Sequence, residues 1–284
     1  MLTFDSFDLV IPAKWVLTGE HAVLRGYSAI AFPHPEYCLE LKYESEKSDH
    51  FEVFPADAGQ LVFGLLDNLF ESVGVPADQR PKGRLTLKMQ IPLGAGLGSS
   101  ASLCVGLVKG FLKNKNLSIE EVIKLACKME DHFHGRSSGM DVTVVAVDKP
   151  ILYKKALNQF HYEVLDIKNF PGFKFHDSGL RANTRTCVKK VEALFLTNPE
   201  LAQALDAQMG KATECALQAL RDYTHNENAD ELLIEAMQMA QNCFERWELV
   251  PRESAEMLSR LKSQGARAIK LTGAGGGGYF VTLT

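Results

Sequence analysis

The segment Pro92-Leu93-Gly94-Ala95-Gly96-Leu97-Gly98-Ser99-Ser100-Ala101 leaves few folds open to this chain. Before it, Leu85 to Ile91 alternates apolar and polar residues with the period of a half-buried strand. After it, Ser100 to Lys113 is rich in Ala, Leu, Val and Cys, as a helix would be. A strand that turns into a helix through glycines gathers the unpaired N–H groups of the first helical turn at one point. Glycines also remove the side chains that would hold an anion away from the backbone. The predicted unit is therefore strand, anion-binding loop, helix. The serine hydroxyls can reach a phosphate oxygen or a phosphate-bound metal.

Two common phosphate motifs fit poorly. No lysine follows the first glycine as a Walker loop requires. The spacing G-x-G-x-G-Ser-Ser also differs from the G-x-G-x-x-G of a dinucleotide turn. On the loop alone, a plain glycine-rich turn stays open.

Three further constellations bear on the choice. The first is Pro12-Ala13-Lys14-Trp15-Val16-Leu17-Thr18-Gly19-Glu20-His21-Ala22-Val23-Leu24-Arg25-Gly26. Alone it reads as a strand and turn with surface charges. Beside a phosphate loop, Lys14 can neutralise a transferring phosphoryl group or hold a carboxylate ionised. Glu20 and His21 can hydrogen-bond a polar substrate. The second runs from Glu130 through His134-Gly135-Arg136-Ser137-Ser138-Gly139 to Asp141. Its two carboxylates could serve one Mg²⁺ and one proton acceptor. His132 and His134 stand two apart on a helix and diverge, which disfavours zinc. The third, Lys270 to Gly278, has five glycines in the six residues from Gly273 and must be a tight turn with exposed backbone.

These motifs together resemble the GHMP kinase family, whose ATP loop reads P-x-x-x-G-L-G-S-S-A. The match spans nearly the whole chain, and Ala22-Val23 and Gly26 resemble its mevalonate kinase branch. The resemblance implies ATP-dependent phosphorylation of the primary hydroxyl of mevalonate, in isoprenoid precursor synthesis. Other acceptors (phosphomevalonate, a sugar or homoserine) and a catalytically inactive nucleotide-binding regulator stay open. It implies that Pro92, Gly94, Ala95, Gly96, Leu97, Gly98, Ser99, Ser100 and Ala101 hold ATP, with Gly275 and Gly276 beside them. Ser100 and Glu130 would take Mg²⁺, Asp141 would be the base, and Lys14 its catalytic partner. Glu20, His21, His134, Thr184, Gly273 and Ala274 would face the substrate. Thr184 belongs to a weaker match, Asp177 to Thr184, where a helix N-cap is an equally good reading. The sequence departs from the family pattern at Ala13, at Trp15, and at Ser137, which replaces a proline and should loosen the turn carrying Asp141.

The 284 residues suffice for two ordinary domains. Residues 7–17 and 37–43 read as strands, and 60–73 as a helix. Ser118 to Glu121 reads as a capping box opening a helix to Phe133. Val142 to Val147 is apolar, and 151–153 is a strand. Residues 155–172 are irregular with short strand candidates, and the chain is mainly helical from 184 to 264. Strands at 268–271 and 279–283 close it. This order indicates α+β. The resemblance implies an ATP-loop domain over 1–165, a ferredoxin-like domain over 166–284, and an active site in their cleft. A net charge of −4 gives no electrostatic reason for a nucleic-acid or anionic-membrane partner. The six cysteines form no C-x-x-C pair and read as reduced thiols. The N-terminus lacks the features of a signal peptide, and no apolar run is long enough to span a membrane, so the expected location is cytoplasmic. The resemblance leaves room for a homodimer.

Overall fold

The computed structural model describes residues 3–134, 137–156, 159–221, 223–224 and 227–284, excepting the side chains of 132–134. It is mixed α+β, as the order of predicted elements indicates. The first half contains β1 (Phe7–Thr18), β2 (Ser28–Glu44), β3 (Phe51–Phe54), α1 (Gly59–Ser72), β4 (Gly83–Met89) and α2 (Ser99–Phe111). Then come α3 (Ile119–His134), α4 (Met140–Val147), β5 (Ile151–Ala156), β6 (Gln159–Val164) and β7 (Phe173–Asp177). The rest is α5 (Thr184–Thr197), α6 (Pro199–Arg221), α7 (Ala229–Arg246), α8 (Ala255–Ser263), β8 (Ala268–Leu271) and β9 (Tyr279–Leu283).

The chain divides into two compact units, each discontinuous in sequence. One comprises residues 1–14, 33–92 and 98–148. Its strand order is β3-β4-β2, with β3 parallel to β4 and β4 antiparallel to β2, Leu41 facing Leu87. Leu39, Leu41 and Tyr43 alternate along β2 and are buried. Helix α2 lies directly on this layer because two glycines share one of its faces. A Cβ on Gly106 would stand 2.4 Å from Leu41 Cδ1, and one on Gly110 would stand 2.3 Å from the Phe7 ring. The rings of Phe4, Phe7, Tyr43, Phe70 and Phe111 pack together nearby. The expected capping box is present at α3: Glu121 N donates to Ser118 Oγ, and Ser118 N to Glu121 Oε2. The apolar run 142–147 is helix α4. Its residues Val142 to Ala146 are all buried, so the run carried no amphipathic period to reveal a helix.

The other unit comprises residues 15–32, 93–97 and 149–284. Here β5 pairs antiparallel with the start of β2, Ser28 facing Lys154, and with β6. A second, antiparallel sheet has the order β7-β9-β8. Helices α6 and α7 pack on one another and α7 on β8. Leu205, Met209, Cys243, Phe244, Leu271 and Phe280 belong to the resulting core. Trp15 is fully buried, stacked on Phe32 at 4.6 Å with Phe173 and Phe175 edge-on. This departure from the family pattern is thus an anchor of the unit's own core.

Strand β2 begins nine residues before the expected 37–43, because Pro33 and Pro35 interrupt the pattern there. Strand β6 is a short strand within the irregular stretch 155–172, where such strands are expected. The N-cap of α5 is Asn183, whose side chain accepts from Thr186 N at 3.3 Å. Thr184, the expected alternative cap, is instead the first helical residue. All six cysteines are free thiols.

Candidate active site

The glycine loop has the conformation its composition calls for. Gly94, Gly96 and Gly98 adopt φ of 69°, 77° and 75°, where a side chain would be strained. Gly98 is the N-cap of α2, so Ser99, Ser100 and Ala101 form its first turn. The first amide that turns back into the helix is Ser102 N, which donates to Gly98 O at 2.9 Å. The 13-residue helix therefore presents its amides and the positive end of its dipole at the loop.

Within the first unit, Lys14 meets this helix end. Its stem lies so close to Gly98 that a Cβ there would come within 2.7 Å of Lys14 Cγ. Lys14 is 3% exposed, and its Nζ stands 3.0 Å from Asp141 Oδ2. Asp141 occupies the first turn of α4, after a left-handed N-cap at Gly139. Glu130, on α3, is buried. Burial pushes its carboxyl up to about 7, and repulsion from Asp141 adds to the rise; a hydrogen bond from Ser137 and the charge of Lys14 oppose it.

Ser137, expected to loosen the turn, ties it. Its Oγ donates to Glu130 Oε2 at 2.5 Å and accepts from Gly139 N at 2.9 Å, while its own N–H donates to Asp131 Oδ1. A hydroxyl thus bridges the carboxylate on α3 to the turn that opens α4. The side chain of His134, together with Gly135 and Arg136, lies outside the described residues.

Within the second unit, the remaining predicted residues fall into two groups. The first joins Val16–His21 to the glycine turn after β8. Glu20 Oε1 stands 2.5 Å from Lys270 Nζ. Thr272 Oγ1 both accepts from Val16 N and donates to Val16 O, each at 2.9 Å. His21 donates from Nε2 to Ala274 O at 2.9 Å. Burial pushes the His21 imidazole down to about 4, so it is neutral at pH 7. The turn also backs the glycine-loop segment 93–97. Cβ atoms on Gly273 and Gly278 would come within 3.0 Å of Gly96 and 2.4 Å of Ala95 O. Gly275 and Gly276 are packed instead against Leu249, and against Ala182 and Cys187.

The second group lies at the start of α5. Thr184 is exposed there. Arg181, just before it, lays its stem on Gly94 and holds Asp177 through two hydrogen bonds at 2.7 and 2.8 Å. Lys270 and Thr272, which open the third motif, carry no individual role there on sequence grounds. The only available signal was a lysine inside an apolar strand, which becomes informative once the strand is known to be buried.

Residues 60–149 match the family model described as the GHMP kinases N terminal domain. A mevalonate kinase of Pyrococcus abyssi (strain GE5 / Orsay) is 29% identical to this chain, the alignment covering 96% of it and 87% of the relative. The fold is that of L. major mevalonate kinase, solved in complex with R-mevalonate: TM-score 0.82, 20% identity, 100% of this chain and 89% of the other. It is shared too by Streptococcus pneumoniae phosphomevalonate kinase, at TM-score 0.75 and 18% identity over 99% and 92% of the two chains.

Proposed function

We propose that the chain is a GHMP kinase, an ATP-dependent small-molecule kinase, and that it phosphorylates the primary hydroxyl of mevalonate to give 5-phosphomevalonate. The observation that carries this reading is the Lys14–Asp141 pair set against Gly98, the N-cap of α2. A cation, a carboxylate and an anion-binding helix end share one corner of the first unit. Phosphoryl transfer asks mainly for positioning and charge stabilisation, and those three groups supply both.

In this mechanism the amides of the 94–100 loop cradle the ATP phosphates. Asp141 orients the acceptor hydroxyl and takes its proton as the oxygen attacks. Lys14 holds Asp141 through the ion pair and offsets negative charge gathering on the transferred group. His134, Thr184, Gly273 and Ala274 are the proposed acceptor-side residues. The donors around Glu130 suit Mg²⁺, which takes hard oxygen ligands and fills its shell with phosphate oxygens. Glu130 is a buried carboxylate crowded by Asp141, an arrangement that a divalent cation relieves. Glu130 and Ser100 would hold the ion, which when bound would neutralise the phosphate oxygens.

The same reading places the protein in the cytoplasm without nucleic-acid or membrane partners. Free thiols and the acidic net charge support it. Among the described residues, no helix is long and apolar enough to cross a membrane.

One observation favours phosphomevalonate as acceptor: Arg181 stands against Gly94. Its guanidinium is already paired with Asp177, which weakens that case. A coupled ADP-release assay with Mg-ATP and a panel of mevalonate, phosphomevalonate, sugars and homoserine decides. Turnover on mevalonate with the others silent is the expected result. Turnover on another alcohol alone overturns the acceptor, and silence on all with ATP bound overturns the kinase reading in favour of a regulator.

A further inference from the structure

Lys270 sits in the middle of β8 between Ile269 and Leu271 and is 0% exposed. A buried ammonium needs a counter-charge and hydrogen bonds, or folding carries a heavy desolvation cost. The counter-charge is Glu20, itself 2% exposed. Lys270 Nζ also donates to Val16 O at 3.3 Å and lies 5.2 Å from the centre of the Phe244 ring. The ammonium is thereby fixed on several sides within one unit.

That fixation is passed on by two residues of chain. Thr272 closes its hydrogen-bonded ring with Val16, and the next peptide meets the ATP loop. A Cβ on Gly96 would stand 3.3 Å from Thr272 O and 3.4 Å from Gly273 Cα. Gly96 therefore rests on backbone, with no side chain between to absorb a displacement. A shift of β8 of a few tenths of an ångström is a shift of Gly96. Glu20, whose charge seats Lys270, offers almost no surface to a bound acceptor.

We propose that Glu20 is a positioning residue of the nucleotide site: through Lys270 it sets the Thr272–Gly273 backbone that supports Gly96, and it makes no contact with the acceptor. The inference rests on the reading of the 94–100 loop as the ATP loop. It differs from the substrate contact that the family resemblance implies for Glu20.

The test uses the full chain and the variants Glu20→Gln, Lys270→Met and the double variant. Two quantities are read: ATP affinity by calorimetric titration without acceptor, and KM for ATP and for the acceptor separately. Each single variant is expected to weaken ATP binding about tenfold and raise KM for ATP in parallel, with the acceptor KM within about twofold of the parent. The double variant, which buries no unpaired charge, is expected to recover much of the loss. If the single variants fail to fold, the double variant and Glu20→Asp carry the same comparison. A raised acceptor KM with unchanged ATP affinity overturns the proposal, and so does a double variant as impaired as the two singles summed. Should the parent turn over no acceptor, the acceptor assignment fails while the ATP titration still decides the role of Glu20.

Discussion

Asp141→Asn lowers turnover about a thousandfold or more and leaves ATP affinity at the parent value. The amide keeps the shape of the side chain and can still accept a hydrogen bond from Lys14, so the first turn of α4 is undisturbed. What it loses is the ability to take a proton from the acceptor hydroxyl. Lys14, the Gly98 cap and the amides of α2 remain, and these are the groups proposed to hold the nucleotide. Single-turnover kinetics combined with an ATP titration separate the two effects. Normal turnover removes Asp141 from the mechanism; lost ATP affinity would mean that the carboxylate mainly shapes the phosphate site.

Lys14→Met has a different signature. The thioether fills the space of the stem against Gly98 but removes a positive charge that acts on both Asp141 and Glu130. Two crowded carboxylates are then left without their cation. Turnover falls about a hundredfold or more, since charge on the transferred group is no longer offset. ATP affinity falls as well, unlike in Asp141→Asn, because the uncompensated carboxylates repel the phosphates. Stability falls by about 2 kcal/mol, below the usual cost of breaking a fully buried pair, because the Asp141 side chain is 30% exposed. Denaturant unfolding of the parent and the variant measures this loss. Unchanged ATP affinity together with unchanged stability would show that Lys14 carries neither burden.

The contrast between these variants also shows what the sequence could disclose. The glycine loop and its helix were legible from composition and spacing, while the roles of Lys14 and Asp141 came only with the family resemblance. That Lys14 reaches Asp141 was implied by the family resemblance, and the geometry supplies the path: the Lys14 stem lies along Gly98 and its Nζ meets Asp141 Oδ2 at 3.0 Å. The Glu20–Lys270 pair was not legible. A lysine in a four-residue strand ordinarily reads as solvent-facing, and only tertiary burial makes a partner obligatory. Ser137 was misread for a related reason. A serine in place of proline looks like a gain in freedom when the backbone alone is considered. Its hydroxyl restores the constraint through Glu130 and Gly139, which only the folded turn brings within reach. Strand β2 runs through Pro33 and Pro35, two residues that local rules assign to a break.

The glycine face of α2 turns the helix into a lever. At 1.5 Å per residue, Gly106 is about 10 Å and Gly110 about 16 Å from Ser99 along the axis. If a methyl group at Gly110 raised that end by about 1 Å with Gly106 as fulcrum, Ser99 would swing by nearly twice as much. A displacement of about that size is enough to spoil the alignment of reacting atoms. Genetic lesions in this sheet-facing seam, remote from any phosphate, would then present as failures of chemistry in a protein that still folds. The seam links the internal architecture of the first unit to the aim of the amides that open α2.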